Sequence, residues 1–247
     1  MIGQVELSKR MQAVADMVTF GSRVCDVGCD HGYVSVYLVQ TRRSPKVLAM
    51  DVNKGPLLRA KENVSRYRTQ DYIELRLSDG LTAYQKGEAD TLLCAGMGGR
   101  LLMRILSKEP DKTKDFKELI LQPQSELQLF RKFLREKGYI FIKEDMILED
   151  GKFYPIMKVK KAQEDNKEET EEEKSDRIRQ REDLLGPLLL REKNPVLLQY
   201  VQKELQMKEA ILDKLNRQVQ TEKSTQRIDE LSEEILLLKE AAAELLE

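Results

Sequence analysis

Two acids and two glycines follow or end a short apolar run in Val24-Cys25-Asp26-Val27-Gly28-Cys29-Asp30-His31-Gly32-Tyr33, and a third acid, Asp51, ends the next apolar run. The first residues read as a strand. The middle reads as a turn whose glycines let a ligand come close to the backbone, and the last residues read as a helix start. A carboxylate at the end of the following strand is placed to accept from ribose hydroxyls. The combination suits an adenosyl ligand held over the carboxyl ends of a doubly wound parallel sheet.

Other chemistries fit less well. Cys25, Cys29 and Cys94 neither pair evenly nor show the spacing of zinc ligands, even with His31 nearby, so buried thiols and no metal are expected. No apolar run approaches the ~20 residues of a membrane span, and no apolar signal core follows a basic start, so a cytoplasmic address is expected. The net charge of −1 conceals an asymmetry. Residues 1–160 carry 27 Lys and Arg against 21 Asp and Glu, whereas residues 161–247 carry 15 against 22. A modest basic excess on the half that holds the turn is compatible with a polyanionic substrate.

The elements that must position these residues alternate between β-branched runs and amphipathic segments. A helix is predicted over Ser8–Val18, with Leu7, Met11, Val14 and Val18 on one stripe. Strands are predicted at Arg23–Val27, Lys46–Met50, Ile73–Leu77, Thr91–Ala95 and Glu118–Leu121. The helices between them present Val34, Leu38 and Val39, then Leu57, Leu58, Ala60 and Val64, then Leu101, Leu102, Ile105 and Leu106. Gln122-Pro123-Gln124-Ser125 is read as capping a helix that runs to Lys137. Tyr139–Ile147 and Phe153–Val159 follow as two strands with no helix between them, joined by Glu149-Asp150-Gly151-Lys152, whose Asp-Gly pair is a hairpin signal. Nicotinamide dehydrogenases continue their strand-helix units to the end. Class I S-adenosylmethionine methyltransferases close the sheet with such a reversing pair, which favours S-adenosylmethionine over NAD.

Residues 161–176 hold eight acids and three lysines and read as a solvated tether. Beyond it, an apolar segment is interrupted at Gly186-Pro187, and Asn194-Pro195 marks a helix restart. Leu198, Val201, Leu205, Lys208, Leu212, Leu215 and Val219 then recur at spacings of three and four, as do Ile228, Leu231, Ile235, Leu238, Ala242 and Leu245. Two long helices folding back as an antiparallel coiled coil are predicted. The division expected is a catalytic domain at 1–160, an acidic linker at 161–176 and a helical domain at 177–247. The hairpin serves either to dimerise the chain or to lie along an elongated substrate, and the state is left open as monomer or dimer.

Several of these stretches together resemble one family across the whole chain. Leu7-Ser8-Lys9-Arg10-Met11, Asp26-Val27-Gly28-Cys29-Asp30-His31-Gly32-Tyr33, Ser78-Asp79-Gly80-Leu81, Ala95-Gly96-Met97-Gly98-Gly99, Leu121-Gln122-Pro123-Gln124 and Gly151-Lys152-Phe153-Tyr154 are similar to the bacterial tRNA (adenine-22-N1)-methyltransferases, the TrmK family. The most specific element is the Asp-His after the cofactor glycine paired with Ala-Gly-Met-Gly-Gly. The resemblance implies methyl transfer from S-adenosylmethionine to N1 of adenine 22 in tRNA, at the junction of the D-arm and the core. Two alternatives in the same fold are a methyltransferase for another RNA, a protein or a small molecule, and a non-catalytic adenosyl-binding scaffold.

An adenine N1 carries its lone pair in the plane of the base, so no proton need leave before attack, and the work required is orientation and electrostatics. Asp30 is the candidate for stabilising the cationic product and accepting from its exocyclic amine. It also suits the N-cap of the helix starting near Gly32. His31, the only histidine, is placed to orient Asp30, to touch the base or to serve the structure alone. Arg10 resembles a family position near the active site and is a candidate for meeting a phosphate.

On the cofactor side, Asp26 is expected at the methionyl ammonium, Asp51 with Val52 at the ribose, and Asp79 with Gly80 at the adenine edge. Gly28, Cys29 and Gly32 are expected to form the turn, and Ala95, Gly96 and Met97 to close the cleft. The run after the fourth strand lacks the Asn/Asp-Pro-Pro-aromatic pattern suited to exocyclic amines and offers a flat shelf of small residues for a ring nitrogen. Arg42, Arg43, Lys46, Arg66, Arg68, Arg100, Arg104 and Lys108 are candidates for tracking a tRNA backbone. With no tryptophan in the chain, recognition by shape and phosphates is expected.

Overall fold

The computed structural model describes residues 3–162, 176–217 and 222–246. The chain divides into two compact units, Met1–Glu168 and Glu169–Glu247. The predicted tether lies almost wholly outside the described residues. Of the turn expected at 221–225 between the two long helices, position 221 lies outside them too, whereas Glu222–Thr225 form the start of the last helix instead of a turn.

The first unit is built on a seven-stranded sheet. Its strands are β1 (Val24–Val27), β2 (Val47–Asp51), β3 (Ile73–Leu77), β4 (Thr91–Met97), β5 (Glu118–Pro123), β6 (Tyr139–Glu149) and β7 (Lys152–Lys161). The order across the sheet is β3-β2-β1-β4-β5-β7-β6. The pairings of β1 to β5 are all parallel, whereas β7 runs antiparallel to both β5 and β6. The predicted closing hairpin is therefore present. Asp150 and Gly151 both take positive φ, 49° and 72°, as a two-residue turn matched to the twist of its strands requires.

Alternation along the strands sends one set of residues to each face. Val24, Val47, Ala49, Leu93 and Ile120 pack with Val14, Val36, Leu38, Ala60 and Val64. These come from α1 (Lys9–Met17), α2 (Tyr33–Gln40) and α3 (Lys54–Arg66). Cys25, Val27, Met50, Leu92, Cys94, Leu119 and Leu121 pack on the other face with Leu102, Ile105, Leu106, Phe130 and Leu134. Their helices are α4 (Gly99–Lys108) and α6 (Leu127–Glu136), with the single turn α5 (Pro110–Thr113) between them. Burial on both faces explains why the central strands read as continuous apolar runs. All three cysteines are buried, and burial raises their thiol pKa values.

Two further local expectations fail. Leu58 is 62% exposed, because the buried stripe of α3 runs through Ala60, Asn63 and Val64 and leaves position 58 outside it. Ser125 does not cap α6. The N-cap position is taken by Glu126 in the left-handed region, with no side-chain cap bond, and the Ser125 hydroxyl accepts instead from Gly99 N–H at 3.3 Å.

The second unit is helical. It comprises α7 (Asp176–Leu185), α8 (Pro187–Arg191), α9 (Pro195–Asn216) and α10 (Glu222–Leu246). The interruption at Gly186 and the cap at Asn194 are both present, the Asn194 carboxamide oxygen accepting from Val196 and Leu197 N–H at 2.9 and 3.2 Å. The helices α9 and α10 pack along each other as a hairpin. Leu197 and Val201 are buried in α9, and Leu231, Ile235, Leu238 and Ala241 in α10. Lys208, the one polar residue in the predicted seam, is half-buried and paired with Glu234 and Glu204. Among the described residues, no helix is long and apolar enough to cross a membrane.

Candidate active site

The carboxyl ends of β1, β2 and β4 and the turn after β3 open into one cleft of about 520 Å³. Parallel strands leaving the same edge, with α1 and α4 beside them, bring together residues far apart in sequence. The cleft is lined by Arg10, Asp26, Gly28, Cys29, Asp30, Asp51, Val52, Asp79, Gly80, Ala95, Gly96 and Met97. These are twelve of the fourteen candidates. His31 and Gly32 lie outside the lining. Gly32 takes the N-cap position of α2 and packs against Ala60 of α3, where a Cβ would come within 3.2 Å of the Ala60 Cβ. Its smallness lets α2 and α3 pack closely.

Asp26 is 3% exposed. It alternates with Cys25 and Val27 along β1 and shares the face of Val24, so its side chain points toward α2, where the Ser35 hydroxyl donates to it at 2.6 Å. Burial pushes its carboxyl up to about 6; the Ser35 hydrogen bond opposes this rise and the charge of Asp51 adds to it.

Asp51 is nearly buried and held by backbone donors, Asn53 N–H at 2.9 Å and Asp30 N–H at 3.3 Å. Asp79 is half-exposed and accepts from Lys108 Nζ at 2.8 Å, with Arg104 3.8 Å away. The Lys108 hydrogen bond and charge, aided by Arg104, hold its carboxyl below the usual range.

The turn between β1 and α2 depends on Gly28, at φ 76°, where a Cβ would come within 2.1 Å of Met97 Cε. Asp30, also at positive φ, does not cap α2. Its carboxylate is 61% exposed and stands 3.5 Å from His31 Nε2 and 3.7 Å from Arg59. His31 thus contacts Asp30 while its ring stacks near Tyr33 at 5.8 Å.

On the opposite wall, Arg10 lies over the Tyr154 ring at 4.7 Å and donates through Nη1 to Gln122 at 3.0 Å. Among the candidate basic residues, Arg43 is used internally, donating to Val18 O at 2.9 Å and pairing with Asp16. Arg100, Arg104 and Lys108 instead form an exposed row at four-residue spacing on α4, beside the cleft.

Ser35, Gln122 and Arg59 were not among the candidates. Each contacts a candidate from a different element, which no local spacing reveals. Gln122 does lie in one of the stretches that carried the resemblance.

The family model described as a methyltransferase domain matches residues 7–157. The chain is 34% identical over 239 residues to the tRNA (adenine(22)-N(1))-methyltransferase of Bacillus subtilis (strain 168), covering 97% of this chain and 98% of that one. The crystal structure of the B. subtilis m1A22 tRNA methyltransferase TrmK superposes with a TM-score of 0.83 at 34% identity, over 96% of this chain and 99% of that one. A putative tRNA (m1A22) methyltransferase of Streptococcus pneumoniae, solved in complex with S-adenosyl-L-methionine, gives 0.81 at 31% identity, over 96% of this chain and all of that one. With its sheet, its hairpin closure and its helical unit all matched along nearly the full length, the chain belongs to the TrmK family of tRNA (adenine-22-N1)-methyltransferases.

Proposed function

We propose that this chain transfers a methyl group from S-adenosylmethionine to N1 of adenine 22 in tRNA. The observation that carries this reading is the convergence of Asp26, Asp51 and Asp79 from three strand ends on one cleft, opposite the small-residue shelf at Ala95 and Gly96. That donor set fits the cofactor. A buried carboxylate suits an ammonium, a carboxylate fixed by backbone N–H groups suits a diol, and an exposed one suits an exocyclic amine. Asp26 would hold the ammonium, Asp51 the ribose and Asp79 the adenine. Gly28 and Cys29 would supply close backbone, and Val52, Gly80 and Met97 apolar contact.

Bound there, the cofactor supplies an electrophilic methyl on a positively charged sulfur. The chain's own residues then have two tasks. Ala95 and Gly96 present the acceptor ring edge-on, since a planar nitrogen needs no tetrahedral cage of carbonyl acceptors. Asp30 faces the positive charge that appears on the adenine, with His31 orienting it across 3.5 Å. No group of the site has to remove a proton before attack. Arg10 meets the substrate from the other wall, and Arg100, Arg104 and Lys108 follow its phosphates.

The same reading assigns the catalytic role to 1–160, a tether to 161–176 and a coiled coil lying along the tRNA to 177–247, in a cytoplasmic enzyme that acts as a monomer or as a dimer through that coiled coil. Incubation with methyl-labelled S-adenosylmethionine and total bacterial tRNA tests it. Label in the RNA is expected, and its absence from RNA under conditions where the cofactor binds refutes the reading.

A further inference from the structure

The geometry points to Gln122 as a positioning residue that fixes Arg10 and the acceptor shelf through one buried oxygen. The ladder between β4 and β5 pairs Ala95 with Gln122 and then jumps to Met97 with Pro123, leaving Gly96 as the extra residue of a β-bulge. A bulged residue loses its ladder acceptor, and its N–H must find another. Gln122 Oε1 takes it at 3.0 Å. The same oxygen accepts from Arg10 Nη1, also at 3.0 Å. The Gln122 amide nitrogen donates to Pro123 O at 3.3 Å, which fixes which end of the carboxamide faces the two donors. The side chain is fully buried.

Two consequences reach the cleft. The bulge turns Met97 so that its methyl lies over the Gly28 turn. Arg10 is held against the shelf, its Nη1 3.7 Å from where a Gly96 Cβ would stand, while Glu149 Oε1 accepts from the Arg10 backbone N–H at 3.1 Å on the other side. Gln122 is not among the residues that line the cleft. It sets the distance between the arginine and the shelf, and a displacement of about 1 Å there is enough to cost about 10²-fold in rate. The Arg10 half of this inference rests on the role proposed for Arg10 above; the Gly96 half does not.

The experiment compares Gln122→Leu, which removes the acceptor at similar volume, with Gln122→Glu, which keeps it, each alone and with Arg10→Ala. The assay uses tRNA, with cofactor affinity and melting temperature measured alongside. Gln122→Leu is expected to lower kcat about 10²-fold with cofactor Kd within about threefold of the parent. Gln122→Glu is expected to recover to within about tenfold of the parent, and the losses from Leu and Arg10→Ala are expected to be less than additive. A Leu variant that turns over like the parent overturns the inference. So does a Glu variant as impaired as Leu, in rate or in folding, since that marks a packing role. If Arg10→Ala alone turns over normally while Gln122→Leu does not, the role of Arg10 falls and that of Gln122 stands through Gly96.

Discussion

Ser35 donates its hydroxyl to Asp26 across 2.6 Å, and Asp26 lines the cleft proposed for the cofactor. With its pKa near 6 in the cofactor-free protein, Asp26 is protonated at mildly acidic pH and must lose that proton to pair with an ammonium. Cofactor Kd should therefore rise as pH falls through 6, by up to about tenfold per unit, and Asp26→Asn should bind weakly with little pH dependence. Calorimetric titration between pH 5 and 8 checks both.

Folding stability carries the opposite sign. The folded pKa of Asp26 lies above its ordinary 3.8, so the folded state holds the proton more tightly. Its contribution to stability is full below about pH 4 and is lost as pH rises through about 6. Without cofactor, Asp26→Asn should melt higher than the parent at pH 7.5, by a margin on the order of 2 kcal/mol, while losing cofactor affinity. A lower melting point would contradict the assignment of burial as the cause.

The row Arg100, Arg104 and Lys108 on α4 is exposed and, among the described residues, paired with Glu126 and Asp79 at the surface. Alanine at each position should weaken tRNA binding, lowering the slope of log K against log salt by about one unit per residue and leaving cofactor Kd nearly unchanged for Arg100. Filter binding at several salt concentrations checks this.

Asp30→Asn retains the shape of the turn but removes the charge. It should lower kcat by about 10²-fold with cofactor Kd within about twofold, measured by single-turnover methylation beside calorimetry. Equal losses in kcat and in affinity would instead place Asp30 at the cofactor.

Much of this was legible from local pattern. The strands repeat at a period that buries both faces, the Asp150-Gly151 pair adopts the dihedral angles its types favour, and Asn194 with Pro195 starts a helix as their chemistry dictates. Gly28, Asp51 and Asp79 fell in one cleft because parallel strands end on the same edge. What the pattern did not carry depends on contacts between distant segments. Ser35 was invisible as the partner of Asp26, and Gly96 gave no sign of the bulge that makes Gln122 its acceptor. The packing of Gly32 against Ala60 was equally invisible, because a glycine that admits a neighbouring helix looks the same in sequence as one that admits a ligand.

In the second unit, Lys208 interrupts the seam between α9 and α10 and is balanced by Glu234 and Glu204. Replacing an ion pair of this kind by a packed apolar side chain is often neutral or stabilising. Lys208→Leu alone leaves Glu204 and Glu234 without their cation and should lower the melting temperature, whereas Lys208→Leu combined with Glu234→Leu should recover most of that loss, as followed by helical circular dichroism.

The central claim is methyl transfer to one ring nitrogen of one nucleotide, and a tRNA transcript carrying adenine 22 tests it beside the same transcript with guanine there. With labelled S-adenosylmethionine, the account predicts one methyl per molecule on N1 of adenine 22 and none in the guanine transcript. Equal labelling of both transcripts, or label mapped to another position, would contradict it.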